Sequence, residues 1–238
     1  YPDIGSGITM RDLNALHSCR FCSDANVIRS RYPPQSSTTY ASNADVWTMD
    51  LFDMTHESVT GKRYVFLFVM LHSRLCIEVC TASKSDALLA FRKAISYAGF
   101  HPRALHSDNA GEFESADFVK FCDSFPVPIH RQWSNRGQQF QNGVTEHLVG
   151  VLKQKIRVFL LQSGLGTEFW TFAIALAVHV VNHLPHDALG GKSPILVSGL
   201  RPYAHFFRPF GCRATIRKNL IPGAHLNTHG HFGIYLGC

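Results

Sequence analysis

The chain opens with a polar segment and continues as a series of short apolar runs. Residues 1–44 end in RYPPQSSTTYASN, whose Pro, Ser and Thr content is typical of a linker. Runs rich in β-branched and aromatic residues follow at 45–54, 63–71 and 75–82. This composition predicts three strands, and the short breaks between the runs predict hairpins.

Helical spacing replaces the strand pattern after the third run. Residues 85–99 carry apolar side chains at helical intervals, with Ser at the start and Gly at the end, which predicts a helix. Further strands are predicted over 102–108 and 127–133, and further helices over 115–125, 144–159 and 168–184. The stretch SNRGQQFQNG at 134–143 has the composition of a loop. This order of elements favours an α/β layer with a mixed sheet.

Charge and cysteine content narrow the class of protein. The chain has 238 residues, a net charge of +6 and 45% hydrophobic residues, so it can bury a core and favours a polyanionic partner such as nucleic acid. Its apolar runs are too short to span a bilayer, so we expect no membrane partner. Seven cysteines without framework spacing favour a reduced, intracellular setting. Because the first residue is Tyr and the last residues read as a strand, we expect a fragment of a longer chain.

Three acidic residues occupy positions that strands and a helix can bring together. Asp50 lies inside the first predicted strand, Asp108 ends a later one, and Glu146 opens the predicted helix at 144–159. Hard divalent cations take oxygen ligands, and two such ions about 4 Å apart suit phosphoryl transfer. A single acid is more commonly a solvated surface group. Asp50 fits that alternative poorly, because a buried unpaired carboxylate is costly.

The predicted helix at 144–159 also carries basic residues in line with its acid. At 100° per residue, Lys153 and Arg157 lie within about 20° of Glu146 on the helical wheel. We expect the core-facing side of the helix to lie opposite and to consist of Val144, Leu148, Val151, Leu152 and Phe159. One side would then present a metal-binding end followed by a phosphate-binding stripe.

Several separated motifs resemble retroelement integrases of the Ty1/copia type. HSDNAGEF at 106–113 resembles the family's SDNGGEF element, and QNGVTEH at 141–147 resembles its QNGVAER element. The closing FGIYLGC resembles the family's GIFLGY. Downstream residues that fall in the family's order are Trp170, Asn182, Leu184, Pro185, Pro194, Phe210, Gly211 and Cys212. The likeness covers roughly residues 15–238.

The resemblance implies a fold, an activity and a catalytic site. The fold would be RNase H-like, a mixed five-stranded sheet flanked by helices with a helical C-terminal extension. The catalytic residues would be Asp50, Asp108 and Glu146, holding two Mg²⁺ or Mn²⁺ ions. The activity would be that of a polynucleotidyl transferase: 3′-end processing of element DNA and strand transfer into host DNA. The chain would come from a retrotransposon polyprotein, act in the nucleus and work as a homo-oligomer.

The resemblance also divides the chain. Residues 1–34 would be the tail of a zinc-binding pre-integrase domain plus a linker, 35–200 the catalytic core, and 201–238 the start of a C-terminal extension. Cys19 and Cys22 match the cysteine half of the family's zinc site, and Zn²⁺ is expected only in a complete N-terminal domain. Two free thiols on a loop are the alternative for this pair.

Departures from the family pattern leave some alternatives open. The first motif reads MDLFDM, so Asp53 competes with Asp50 for the role of first ligand. Residues three apart in a strand point to opposite faces, and the spacing from Trp47 favours Asp50. Two other functions also remain: a decayed copy that only binds nucleic acid, and an RNase H-type nuclease that hydrolyses without joining.

Basic and polar side chains near the third acid are the candidates for DNA contact. Phosphate contacts from Lys and Arg give sequence-tolerant binding, which suits an enzyme that uses many target sites. The alternative is a solvated charged face. The predicted DNA-binding residues are Lys153, Arg157, Arg131, Arg136, Gln139 and Asn142.

Overall fold

The computed structural model describes residues 40–107, 111–133, 143–202, 208–217 and 230–237. Its centre is a five-stranded sheet in the order β3-β2-β1-β4-β5. The strands are β1 (Val46–Asp53), β2 (Tyr64–Met70), β3 (Cys76–Thr81), β4 (Ala104–Ser107) and β5 (His130–Trp133). The first three form an antiparallel meander, while β4 pairs parallel with β1 and β5 parallel with β4. The sheet is therefore mixed, as the order of elements predicted.

Helices cover both faces of this sheet. The α-helices in the described ranges are α1 (Ala87–Ala98), α2 (Ala116–Asp123), α3 (Gly143–Ser163), α4 (Trp170–His183) and α5 (Pro194–Ser198). Single 3-10 turns lie at Lys84–Asp86, Gly111–Phe113, Thr167–Phe169 and Asp187–Leu189. A separate antiparallel pair, β6 (Arg213–Arg217) and β7 (Gly230–Ile234), follows them. None of the helices in the described ranges has the length and apolar content needed to cross a membrane.

One face of the sheet packs against α1 and α2 through a cluster of aromatic rings. Phe91 of α1 is fully buried at the centre of this cluster. Its ring stacks on Phe68 at a centroid distance of 5.8 Å and on Phe118 at 5.4 Å. The edges of Trp47 and Phe121 approach the same ring at 6.4 Å and 6.1 Å. This face therefore supplies a large share of the apolar burial that stabilises the fold.

The opposite face packs against α3 and α4. Every residue from Val65 to Met70 is buried, because β2 lies inside the sheet and is covered on both sides. Val65, Leu67 and Val69 point towards α3 and α4, and Phe52 of β1 joins them. Helix residues that complete this cluster are Val149, Leu152, Ile156, Trp170, Ala173 and Ala177.

An amide side chain of α4 covers one end of the outer strand β3. The Asn182 Oδ1 accepts a hydrogen bond of 3.0 Å from the backbone N–H of Cys76, and its Nδ2 donates one of 2.8 Å to the carbonyl of the same residue. The carboxamide thus takes the place of a neighbouring strand, and no backbone group of Cys76 is left unpaired in the buried edge.

Glu78, two residues further along β3, makes the stability of the fold depend on pH. It lies half-buried in a groove between β3, α1 and α4. Burial raises the pKa of its carboxyl from the ordinary 4.5 to about 8. Because the folded pKa lies above the unfolded one, this contribution to stability is complete below about pH 4.5 and is lost as pH rises through about 8.

We therefore expect the melting temperature of the native protein to fall more steeply between pH 5 and pH 8.5 than that of Glu78→Gln. The glutamine stays neutral throughout, so the difference between the two curves isolates one carboxyl group. Calorimetric scans of both proteins at about six pH values provide the measurement. Parallel curves would show that Glu78 ionises with an ordinary pKa.

Candidate active site

Strand β1 sends alternate side chains to the two faces of the sheet. Trp47 and Met49 point into the cluster beneath α1 and α2. Phe52 points into the cluster beneath α3 and α4, and Thr48 hydrogen-bonds to a residue of α3. Asp50 lies between Thr48 and Phe52 in this alternation, so its half-buried carboxylate shares the α3 side of the sheet.

Asp53 occupies a different position at the exposed end of β1. Its Oδ2 forms an ion pair with the Nη2 of Arg63 at 3.1 Å, and its Oδ1 accepts a 2.7 Å hydrogen bond from the N–H of Thr55. The hydrogen bonds from Arg63, followed by the one from Thr55, hold the pKa of this carboxyl below its usual value. The two rival acids of the first motif are thus separated: Asp50 shares a side with α3, and Asp53 pairs with Arg63, the residue that precedes β2.

Strand β4 is the direct neighbour of β1, as the candidate site requires. The two strands run parallel, with Thr48 beside His106. Parallel strands end at the same edge of a sheet, so β4 delivers its carboxyl end beside the second half of β1. Ser107 is the last residue of β4, and Asp108 follows it in the sequence but lies outside the described residues.

Two contacts fix α3 over the same half of β1. The hydroxyls of Thr48 and Thr145 hydrogen-bond to each other, and both residues are fully buried. Two helical turns further along, the Nζ of Lys153 lies 5.0 Å from the ring centroid of Phe52. Glu146 follows Thr145 and is exposed, on the same side of the helix as Lys153. The side of α3 that carries the acid therefore overhangs the strand that carries Asp50.

The predicted orientation of α3 was wrong in one respect. Its buried residues are Thr145, Val149, Leu152 and Ile156, and of the residues expected in the core only Leu152 is among them. Val144, Leu148 and Phe159 pack at the periphery of this cluster. The stripe of Glu146, Lys153 and Arg157 thus lies about a quarter turn from the buried side rather than opposite to it. Val149, Leu152 and Ile156 define the buried side at helical spacing, and Thr145 joins them because its hydroxyl meets that of Thr48.

The predicted DNA-binding residues have different environments. Lys153 and Arg157 are exposed on α3. Arg131 of β5 is only 21% exposed in its side chain, and its Nη2 lies 3.5 Å from a carboxylate oxygen of Asp123. Arg131 therefore pairs with an acid, whereas Lys153 and Arg157 are exposed, with the ammonium of Lys153 over the ring of Phe52. Predictions that lie outside the described residues are Arg136, Gln139, Asn142, Cys19 and Cys22.

Three residues beside the acids were missed by the sequence analysis. Thr48 and Thr145 are the buried hydroxyl pair, and His106 lies on β4 next to Thr48 with 7% of its surface exposed. Burial, and then the neighbouring His130, hold the pKa of His106 below its usual value. The alternation of β4 was the available signal, since it places position 106 on the α3 side of the sheet.

The donor chemistry of the site suits a hard cation. Asp50 and Glu146 offer carboxylate oxygens from facing elements, which is the ligand type of Mg²⁺ and Mn²⁺. Within the described part of the chain no three His, Cys, Asp or Glu side chains form a complete metal-binding group. Asp108, the third predicted ligand, lies outside that part.

Comparisons of the sequence identify related proteins. Residues 41–132 match the family described as "Integrase core domain". The chain is 28% identical over 167 residues to the retrovirus-related Pol polyprotein from transposon TNT 1-94 of Nicotiana tabacum, an alignment that covers 68% of this chain and 12% of the relative. It is 26% identical over 216 residues to the Pol polyprotein from transposon RE2 of Arabidopsis thaliana, covering 84% and 14%. The chain therefore spans a small part of each of these relatives.

Comparisons of the structure identify the fold. The HTLV-2 integrase catalytic core domain in complex with magnesium (trimeric form) superposes with a TM-score of 0.54 at 22% identity, covering 68% of this chain and 99% of that one. An integrase-containing assembly, the simian T-cell lymphotropic virus intasome in complex with PP2A regulatory subunit B56 gamma, gives a TM-score of 0.58 at 20% identity, covering 94% and 80%. The predicted RNase H-like fold is thereby confirmed. The chain is thus similar over residues 41–132 to the integrase core domain family, and over most of its length to the Pol polyproteins of two plant transposons.

Proposed function

We propose that this chain is the catalytic part of a retrotransposon integrase, which processes the 3′ ends of element DNA and joins them to host DNA. The observation that carries the proposal is the placement of Asp50 and Glu146. The two carboxylates belong to elements that face each other beside the β1–β4 pair, and a buried hydrogen bond joins those elements next to both acids. Distant parts of the chain thus contribute acids to one side of the sheet.

In this proposal Asp50, Asp108 and Glu146 hold two Mg²⁺ or Mn²⁺ ions. The similar HTLV-2 integrase core was solved in complex with magnesium, which supports this choice of cation. When bound, such a pair of ions lowers the pKa of the attacking hydroxyl and neutralises the charge that develops on the phosphoryl oxygens. Asp50 belongs to β1, Glu146 belongs to α3, and Asp108 follows β4 in the sequence. The position of α3 over the sheet therefore sets the separation of Asp50 from Glu146.

The exposed cations of α3 would bind the DNA backbone. Lys153 and Arg157 follow Glu146 on one side of the helix, roughly 10 Å and 16 Å from it along the axis at 1.5 Å per residue. Backbone contacts of this kind position DNA without reading its sequence. Arg136, Gln139 and Asn142 would contribute further contacts from the segment that precedes α3.

The proposed oligomeric state and origin of the chain are based on the proteins to which it is similar. The related solved structures include dimeric and trimeric core domains and an intasome, so we propose that this chain acts as a homo-oligomer on element ends and host target DNA. Its homologues are Pol polyproteins, so it would be made as part of a polyprotein and act in the nucleus. In a complete N-terminal domain, Cys19 and Cys22 would supply half of a zinc site, ahead of a core at 35–200.

A strand-transfer assay with labelled element-end DNA and Mn²⁺ tests the proposal. We expect a joined product, lost in Asp108→Asn without a change in the melting temperature, because the amide removes a charged ligand and little volume. Nicked DNA without joined product would indicate the nuclease alternative. A folded protein that binds DNA but yields neither product would indicate a decayed copy.

A further inference from the structure

A buried pair of hydroxyls connects the two elements that carry Asp50 and Glu146. Thr48 and Thr145 are 97 positions apart in the chain, both 0% exposed, and hydrogen-bond directly to each other. Thr48 precedes Asp50 by two residues on the same side of β1, and Thr145 immediately precedes Glu146. The contact therefore lies at the base of both acidic side chains.

Apolar side chains of α3 also pack against the sheet. Val149, Leu152 and Ile156 pack against the sheet, and such non-directional contacts constrain the rotation of the helix and its position along the axis less sharply than a hydrogen bond does. A hydrogen bond does fix them, because it requires a donor–acceptor distance near 3 Å and a narrow range of angles. The first turns of α3 also contain Gly143 and Gly150, which are poor helix formers. A directional contact at this end therefore determines where the helix begins over β1.

We infer that Thr48 and Thr145 are positioning residues for the metal-binding carboxylates. Their bond sets the rotation of the first turn of α3 and so the separation of Glu146 from Asp50. Neither hydroxyl touches metal or DNA. The inference rests on the proposed function, because it assumes that the two acids bind a common metal centre. It adds a contact that only the fold reveals, because the two threonines are 97 positions apart in the chain.

Valine substitutions separate positioning from stability. Thr→Val keeps the shape of the side chain, so a single substitution leaves the partner hydroxyl buried without its bond and lowers the melting temperature. In the double variant Thr48→Val/Thr145→Val neither hydroxyl remains, and much of the lost stability returns. The directional bond is still absent in the double variant. Among the variants of this pair, only the double variant should therefore combine recovered stability with weakened metal binding.

The experiment measures Mn²⁺ binding by the electron paramagnetic resonance of free Mn²⁺, together with the melting temperature, for native protein, both single variants and the double variant. Asp50→Asn is the reference variant, because it shows how far Mn²⁺ binding weakens when a proposed metal ligand is removed. We expect the dissociation constant for Mn²⁺ to rise about 10-fold in the singles and to stay raised in the double variant, as for other residues that orient metal ligands. The Mn²⁺ concentration for half-maximal strand transfer should shift by a similar factor.

Thr81→Val is the matched control. Thr81 is 3% exposed on β3, and its hydroxyl donates a 2.9 Å hydrogen bond to the carbonyl of Ser83, away from both acids. We expect this variant to melt earlier and to bind Mn²⁺ as the native protein does. A control that weakens Mn²⁺ binding as much as the Thr48 and Thr145 variants would overturn the inference, because affinity would then follow stability.

Two further outcomes would also overturn the inference, and only the second of them would overturn the proposed function as well. If the double variant binds Mn²⁺ as tightly as the native protein, the pair is structural only and the proposed function stands. If native Mn²⁺ binding is absent or is unchanged by Asp50→Asn, Asp50 does not belong to a metal site. The proposed function then fails together with the inference.

Discussion

Asp50→Asn should lower the rate of strand transfer by about 1,000-fold or more at saturating Mn²⁺. The substitution keeps the size of the side chain and removes the charge, so the site loses a ligand and much of its affinity for the metal. Stabilisation of transition-state charge by a metal is worth several kcal/mol, and each 1.36 kcal/mol corresponds to a factor of ten in rate. The rate of joined-product formation, with the melting temperature of the same preparation, provides the measurement.

Asp53→Asn is the control for that substitution, since it makes the same chemical change three residues away on the same strand. Its carboxylate pairs with Arg63 at the exposed end of β1, so we expect a rate within about threefold of the native one. Loss of activity in Asp53→Asn with retention in Asp50→Asn would exchange the two roles and contradict the proposed site.

Phe91→Ala should destabilise the fold by about 3–5 kcal/mol, the range for deleting a large buried aromatic side chain. Phe91 is fully buried and its ring contacts rings from β1, β2 and α2, so the cavity would lie where several elements meet. Urea unfolding followed by circular dichroism measures the change. If the free energy of unfolding has the same slope against urea concentration in both proteins, the two values can be compared directly.

Leu89→Ala provides the comparison on the same helix. Leu89 is 49% exposed, so its truncation removes little buried surface and should change the free energy of unfolding by less than about 0.5 kcal/mol. Equal effects of the two substitutions would mean that the aromatic cluster does not form the centre of the core.

Much of the sheet could be predicted from the sequence because the amino-acid composition of its strands reflects how deeply they are buried. The run YVFLFVM is apolar throughout, and β2 is indeed covered on both faces. The end of α3 was predicted too early, at 159 instead of Ser163. The signal was present in Gly164, whose φ of 68° suits glycine and terminates the helix, with its N–H bonded to the carbonyl of Leu160.

The candidate site was predictable only in part. The motifs predicted Asp50 and Glu146 as residues of one site, and the hydrogen bond between Thr48 of β1 and Thr145 of α3 agrees with that prediction. The orientation of α3 was missed because the expected core side left out Val149 and Ile156, which with Leu152 define the buried side at helical spacing. Thr145 is buried by a partner 97 positions away, and no local pattern contains that information.

Anomalous diffraction from crystals grown with Mn²⁺ would locate the metal centre without reference to activity. We expect two manganese peaks about 4 Å apart, each about 2.0–2.3 Å from carboxylate oxygens, with Asp50, Asp108 and Glu146 as the protein ligands. Manganese bound only elsewhere on the protein, with these three carboxylates on separate surfaces, would contradict the proposed site.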